Sequence, residues 1–365
     1  MAFTAKDVQA LREKTGVGMM DCKKALTEAD GNVDKAMEIL REKGLASAAK
    51  KASRAAAEGT VAAFSTADAS ALVEINCETD FVGKNPEFVG LANAIAKTVA
   101  TVKPADLDAL NAATIADGTL SVADALQELF LKIRENMKLR RFALVEGKAV
   151  SYIHAGGTVG VLVEFDTDDA TAAKDEFIAM GKNVAMQVAA MSPEYLAKED
   201  ISADELAKMK SIIIDSSLNK ADTLPKPILV ELCTKCCAEK LWSDEDIAAY
   251  EEQKNNKFLF NFLSKEAVAK LAELAVAGKE KYVENKIFAG AVDGRLKKQL
   301  KEVCLLEQEF VRADLFEGNV GGYVADVAKK LGADIKVKKF VRFAKGEGLE
   351  KKVDDFAAEI ASMVK

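Results

Sequence analysis

The residues best suited to chemistry in this chain are a cysteine cluster and a single histidine. Cys233, Cys236 and Cys237 lie close together at a spacing that occurs in zinc sites. A closed zinc site needs four ligands, and the chain has no second cysteine pair and only His154 as an imidazole. A cysteine nucleophile activated by His154 would need a third, orienting group and a local signature, and neither is recognisable. The sequence therefore predicts no metal site, no catalytic residue and no cofactor.

Charge and composition exclude further classes of function. The formal net charge is −7, which disfavours direct binding to nucleic acid. No glycine-rich loop ends in Gly-Lys-Ser or Gly-Lys-Thr, so we expect no nucleotide phosphate to bind to the chain itself. The N-terminus lacks the pattern of a signal peptide, no uncharged stretch reaches membrane-spanning length, and the scattered cysteines indicate reduced thiols. We expect a cytoplasmic protein that binds other proteins and no membrane.

The segment at positions 76–82, Asn-Cys-Glu-Thr-Asp-Phe-Val, is a functional candidate of another kind. It lies between a predicted strand and a helix that Asn85 caps, where a turn is normally polar. Phe81 does not fit the position of a hydrophobic staple, because that residue precedes the N-cap directly and is Lys84 here. Two alternatives stay open: Phe81 is exposed, or it plugs a nearby core.

The elements that must position these residues begin with a helical module. At 365 residues the chain is long enough for several cores, and its 49% of hydrophobic residues is typical of a folded protein. Residues 1–44 predict a bundle of three helices, which opens at a capping pair of Thr4 and Asp7 and stops at Gly44. Residues 45–59 are rich in alanine, serine and lysine and predict a linker that is partly helical.

The rest of the chain predicts two α+β halves with an insertion. Residues 60–140 alternate and then become helical, as expected for helices packed on an antiparallel hairpin. Residues 141–201 and 300–365 repeat this order, while 202–299 read as an inserted helical hairpin. The predicted fold class is therefore α+β, with an N-terminal bundle, two halves and inserted helices.

Two segments resemble the signatures of a known family. Positions 11–26, LREKTGVGMMDCKKAL, and 76–82, NCETDFV, are similar to the two signatures of bacterial translation elongation factor Ts. The likeness continues in order through 151–154, 160–164 and 346–351. The resemblance implies a guanine-nucleotide exchange factor that binds the GDP form of elongation factor Tu, a GTPase, and promotes replacement of GDP by GTP. It also implies a ubiquitin-associated-type N-terminal bundle and no covalent chemistry.

The resemblance implies roles for particular residues. The segment that would contact the partner and dislocate its Mg²⁺ ion consists of Thr79, Asp80, Phe81 and Val82. Further partner contacts are implied at Met19, Met20, His154 and Phe356.

One alternative function and two departures from the family pattern remain. A ubiquitin-associated-type adaptor or scaffold would use the N-terminal bundle to bind peptides, but only that module favours it. The family commonly has glycines and then a basic residue after the histidine, whereas this chain has Ala-Gly-Gly-Thr at 155–158. Residues of about 219–278 have no family counterpart that the sequence alone identifies.

Overall fold

The structure is a computed structural model that describes residues 3–350, and over this range the chain combines helices with antiparallel sheets. It divides into two compact units. Unit 1 contains the described residues of Met1–Ser192 and Phe310–Lys365, and unit 2 is Pro193–Glu309. The α+β fold class predicted from the sequence is confirmed.

The described residues of unit 1 form six strands in two sheets. The strands are β1 (Glu58–Ser65), β2 (Ala69–Cys77), β3 (Lys138–Glu146), β4 (Lys148–His154), β5 (Val159–Asp166) and β6 (Lys336–Ala344). The sheets have the orders β1-β2-β3 and β4-β5-β6, and all pairs are antiparallel. The helices of this unit are α1 (Ala5–Thr15), α2 (Met19–Glu28), α3 (Val33–Lys51), α4 (Asp80–Gly83), α5 (Pro86–Val102), α6 (Leu107–Ala112), α7 (Val122–Ile133), α8 (Asp169–Ala172), α9 (Asp175–Met191) and α16 (Val320–Leu331).

The predicted three-helix bundle is confirmed as α1 to α3, with Leu11 and Leu26 at the centre of its core. The predicted stop at Gly44 is wrong, because α3 continues through this residue to Lys51. A methyl group at Gly44 would lie 2.0 Å from Cδ2 of Leu131 on α7. The glycine therefore permits close packing between two helices and does not end one. The domain limits drawn from the sequence stay predictions.

Each half places one long helix on its sheet. Phe88 and Ile95 of α5 are fully buried against the first sheet, and Phe177 of α9 is buried in the second half. The two sheets also share an apolar layer that includes Leu72 of β2 and Leu162 of β5. Both central strands are therefore covered on two faces, which explains their nearly continuous burial.

One strand escaped prediction. In β4 only Val150 is fully buried, and its neighbours are mostly half-buried. A strand with so weak an alternation of buried and exposed residues leaves little signal for period-two patterning. The strand forms because it pairs with β5 along its whole length, from Lys148 opposite Phe165 to His154 opposite Val159.

Unit 2 is helical and has its own apolar core. Its helices are α10 (Ala203–Leu218), α11 (Lys226–Ala238), α12 (Asp244–Gln253), α13 (Lys265–Ala277), α14 (Lys279–Val283) and α15 (Lys286–Val303). Short 3-10 turns lie at Lys198–Asp200, Ala221–Thr223, Leu259–Asn261 and Leu305–Glu307. The insertion is thus helical, as predicted, but it contains more helices than the expected hairpin.

Candidate partner-binding site

The segment that carries Phe81 is a short capped helix and not the turn that the sequence predicts. Thr79 is the N-cap of α4, and its hydroxyl accepts a hydrogen bond from the Val82 N–H at 3.3 Å. Threonine is a favourable N-cap because its side chain satisfies a backbone donor that the first helical turn leaves free. We call residues 79–83 the Phe81 tip. The short helix gives this tip a defined backbone.

The structure settles the two alternatives for Phe81. Its side chain is 83% exposed, whereas that of the next residue, Val82, is only 8% exposed. Successive residues of a helix point about 100° apart, so burying Val82 directs Phe81 outwards. Val82 is the residue that enters the core of the first half, and Phe81 is available to a partner.

The base of the tip packs directly on the edge of the first sheet. A methyl group at Gly83 would lie 2.8 Å from the carbonyl oxygen of Gly59 in β1. Gly59 has φ of +133°, and a methyl group there would lie 2.0 Å from the carbonyl oxygen of Ile75. Neither position can accept a side chain without moving the backbone. The two glycines therefore hold the tip close against the sheet.

Polar contacts fix the first residue of the tip. The Thr79 backbone N–H donates to Oε2 of Glu135 at 3.0 Å, and its hydroxyl donates to Oε1 at 2.8 Å. The Thr79 carbonyl accepts from Sγ of Cys77 at 3.1 Å. Burial raises the pKa of Cys77 to about 12, so the thiol keeps the proton that it donates. Thr79 is thus held through its amide, its hydroxyl and its carbonyl.

Asp80 places a negative charge beside Phe81. Its Oδ2 accepts a hydrogen bond from Nζ of Lys84 at 2.7 Å. This hydrogen bond holds the pKa of Asp80 below its ordinary value, so the carboxylate is ionised at neutral pH. The side chain of Asp80 remains about half exposed, at 48%. The tip therefore offers an apolar ring and an accessible carboxylate side by side.

His154 lies on the second half, at the end of β4. Its side chain is exposed, and Nδ1 is 2.9 Å from the hydroxyl oxygen of Tyr152. In the turn that follows, the Gly157 carbonyl accepts from the Val61 N–H of β1 at 2.8 Å. A methyl group at Gly157 would lie 2.0 Å from the Thr60 hydroxyl oxygen. The His154 hairpin and the Phe81 tip therefore attach to neighbouring residues of β1.

The remaining predicted contacts lie elsewhere. Met19 and Met20 open α2 in the N-terminal bundle and are 45% and 62% exposed. The two methionines form an exposed apolar edge on an element separate from the Phe81 tip. Phe356 lies outside the described residues.

Sequence reasoning missed Glu135 and the glycine pair that supports the tip. Glu135 lies 56 positions from Thr79, so the contact leaves no local pattern in the sequence. Gly59 and Gly83 do not predict this contact either, since an isolated glycine occurs in turns, bulges and close contacts alike. The detectable signal was Phe81 itself, an aromatic residue where a polar one is expected.

The cysteine cluster lies in the core of unit 2. Cys233 and Cys236 are fully buried on α11, and burial raises their pKa values to about 12 and about 11. Thiols in this environment stay protonated and pack as small apolar side chains. Across residues 3–350, no group of three or more histidine, cysteine, aspartate or glutamate residues is placed to hold a metal ion. In the same range no helix is both long and apolar enough to cross a bilayer.

Comparison with known proteins places the chain in a family. The family model described as Elongation factor TS matches residues 78–347. The chain belongs to the elongation factor Ts family. Elongation factor Ts of Syntrophotalea carbinolica is 39% identical over 369 residues, which cover 100% of both chains. The protein of the same name from Clostridium perfringens is 38% identical over 99% of both chains, and that of Clostridioides difficile is 39% identical.

Membership of the elongation factor Ts family makes this chain a translation elongation factor. The alignment with the Syntrophotalea protein runs through the whole chain, so it includes unit 2. Residues 219–278 thus lie in a region that these elongation factor Ts proteins share, although the sequence alone identified no counterpart for them.

Proposed function

We infer that this chain is a guanine-nucleotide exchange factor for elongation factor Tu, and that the Phe81 tip drives the release of GDP. The observation that carries this proposal is an aromatic side chain, 83% exposed, on a helix that is capped and packed on a sheet. A large exposed apolar residue on a fixed backbone is typical of an interface anchor. Its place within the family signature connects it to the partner.

The exchange mechanism needs no covalent step. A GTPase holds GDP through contacts to its phosphates and through Mg²⁺, and an exchange factor has to weaken these contacts. Binding the nucleotide-free partner more tightly than the GDP form is sufficient, because coupling between two ligands of one protein is reciprocal. The factor then expels GDP, and incoming GTP expels the factor.

Phe81 supplies binding energy for this exchange. Burying a phenylalanine side chain contributes about 1.5 to 3 kcal/mol. The backbone of α4 is already ordered by Thr79, Glu135 and the Gly59–Gly83 contact. Little conformational entropy is then lost on binding, so more of the burial energy is left to distort the partner.

Asp80 acts beside Phe81 through its charge. An ionised carboxylate brought next to a magnesium site attracts the hydrogen-bond donors and cations that otherwise neutralise the phosphates. In the free chain the hydrogen bond from Lys84 stabilises the ionised form of Asp80 and lowers its pKa. Because that pair is exposed to solvent, little energy is needed to exchange Lys84 for a group of the partner.

The other predicted residues form the rest of the interface. Met19 and Met20 present flexible apolar side chains on the bundle, which we assign to docking on the GTPase. His154 lies exposed on a hairpin attached to the same strand as the tip, where it adds a contact from the second half. The partner is a cytoplasmic protein, and the proposal involves no cofactor, nucleic acid or membrane.

Release of a fluorescent GDP analogue from elongation factor Tu tests the proposal. Excess unlabelled GDP is added with or without the chain, and the rate constant for the fluorescence change is measured. We expect the rate constant to rise with the concentration of the chain and then saturate. An unchanged rate constant at saturating concentration would contradict exchange activity and would favour an adaptor that binds through its bundle alone.

A further inference from the structure

Three residues after α7 connect the N-terminal bundle to the Phe81 tip. We call residues 134–136 the strut. On the bundle side, the Arg134 guanidinium pairs with the carboxylate of Asp21 on α2. The Arg134 carbonyl oxygen also accepts a hydrogen bond from the side chain of Lys51, the last residue of α3. The strut is therefore tied to two helices of the bundle.

On the other side, the strut holds the tip. The Glu135 carboxylate accepts both the N–H and the hydroxyl hydrogen of Thr79, at 3.0 and 2.8 Å. The Asn136 N–H donates to Oε1 of Glu78 at 2.7 Å. Arg134 thus binds the bundle, while Glu135 and Asn136 bind the two residues that lead into α4.

The backbone of the strut begins with a sharp turn, of the kind that also ends α5 at Lys103 and α9 at Ser192. Arg134 ends α7 with φ of +64°, a left-handed conformation that glycine or asparagine usually occupies at a helix end. A residue with a long side chain in this conformation carries an energetic cost. Here the conformation turns the chain between Arg134, which binds the bundle, and Glu135, which binds the tip.

We propose that the strut positions the Phe81 tip relative to the docking bundle, and that Glu135 is the positioning residue that holds the tip for exchange. This inference rests on the proposed exchange function. The contacts of Val82 and Gly83 hold the body of α4 on the sheet, whereas Glu135 binds the amide and the hydroxyl of the N-cap. Loss of Glu135 therefore leaves the helix in place and loosens the end at which Asp80 and Phe81 begin.

The test separates partner affinity from the rate of GDP release. The rate constant for release of the fluorescent GDP analogue is measured against the concentration of Glu135→Gln, which keeps one acceptor oxygen and loses the charge. We expect the maximal rate to fall about three- to tenfold, with the half-saturating concentration within about twofold of wild type. The matched control is Glu128→Gln, an exposed glutamate on α7, which should leave both parameters unchanged.

A double variant shows whether Glu135 acts through Phe81. If it does, adding Glu135→Gln to Phe81→Ala lowers the maximal rate no further. Equal fractional losses in both backgrounds would overturn the positioning role. Arg134→Gln breaks the tie to Asp21 and should raise the half-saturating concentration about two- to fivefold, the range of an exposed ion pair.

Hydrogen exchange of the free chain provides a measurement independent of activity. The Thr79 amide should exchange faster in Glu135→Gln than in wild type, while amides in β2 stay protected. A wild-type maximal rate for Glu135→Gln, together with an impaired Phe81→Ala, would overturn this inference and leave the exchange function intact. Failure of the wild-type chain to accelerate GDP release would remove both proposals.

Discussion

The two α+β halves of unit 1 pass from the central strand to the long helix in a similar way, but only the first half exposes an aromatic side chain at this point. In the first half Thr79 caps the four-residue helix α4. In the second half Asp168 caps the four-residue helix α8 and accepts from the Thr171 N–H at 2.8 Å. The second position of each helix is exposed, and it holds Phe81 in one half and Ala170 in the other.

The comparison shows that this architecture does not need the aromatic side chain. The third position of each short helix is buried, as Val82 in α4 and Thr171 in α8. The next helix of each half buries a phenylalanine, Phe88 or Phe177. Both halves thus bury the residue that follows the exposed position and a phenylalanine of the long helix. Phe81 adds exposed apolar surface that the second half lacks, which supports the binding role that we propose for it.

The central strands of the two halves repeat a further feature. Each shows an irregular register directly after a buried glutamate, Glu74 in β2 and Glu164 in β5. Two consecutive basic residues of the neighbouring strand bind each carboxylate. The pairs are Arg140 with Arg141 for Glu74, and Lys338 with Lys339 for Glu164. The halves are thus built alike down to their buried charges.

The largest effect should come from removing the shared core. Phe88→Ala and Phe177→Ala each create a cavity beneath a long helix, and each should cost about 3 to 5 kcal/mol in the free energy of unfolding. Urea unfolding followed by circular dichroism measures the loss. Similar losses would confirm that the halves are equivalent scaffolds. A loss below about 1 kcal/mol in one half would contradict the comparison.

A smaller effect should distinguish the two buried glutamates. Glu74→Gln should cost about 3 kcal/mol, because it removes the buried charge that pairs with both Arg140 and Arg141 and leaves Arg141 only its longer ion pair with Glu347. Glu164→Gln should cost about 1 kcal/mol, because its lysine partners are exposed and screened by water. Urea unfolding at pH 7 measures both. Equal costs would show that the difference in burial of the partners has no energetic consequence.

Glu74 also predicts how the stability of the folded chain depends on pH. Burial alone would raise the pKa of Glu74, but hydrogen bonds from Gly346, Arg141, Asn76 and Arg140 hold it below the ordinary value of 4.5. A carboxyl with a lowered pKa in the folded state contributes stability above its unfolded pKa, and this is lost as the pH falls through the folded pKa. The stability of wild type should therefore fall below about pH 4.5 more steeply than that of Glu74→Gln. Parallel curves would contradict this role.

The smallest effect is expected when an aromatic side chain is placed at the exposed position of the second half. Ala170→Phe places an aromatic residue on the exposed position of α8 and should change the free energy of unfolding by less than about 0.5 kcal/mol. The variant should leave the rate of GDP release unchanged, because α8 lies in the other half. A variant that increases the maximal rate would show that any exposed aromatic residue is sufficient.

Much of this arrangement was predictable because it depends on local patterns. The capped helix after Asn85 and the strand β2 both follow from short-range rules, and so does the bundle. Phe81 was a candidate because an aromatic residue stood where a turn was expected. The sequence left its exposure open, since local spacing does not show which of two neighbours, Phe81 or Val82, faces the core.

The rest depended on contacts between distant residues. Gly44 predicts a helix end by composition, but in the structure it makes room for Leu131 of α7. The hydrogen bonds from Thr79 to Glu135 join positions that are 56 residues apart, so no periodicity in the sequence predicts them. The helix α4 escaped notice because four residues are too few for a 3.6-residue repeat.

The most direct test of the account is the maximal rate of GDP release from elongation factor Tu by Phe81→Ala. Truncating a central aromatic anchor at an interface typically costs about 2 kcal/mol or more, and about 1.4 kcal/mol corresponds to tenfold. We predict that the rate falls about 10- to 100-fold, while the melting temperature stays close to that of wild type because the side chain is 83% exposed. Wild-type exchange by a well-folded Phe81→Ala, or a large drop in its melting temperature, would contradict the account.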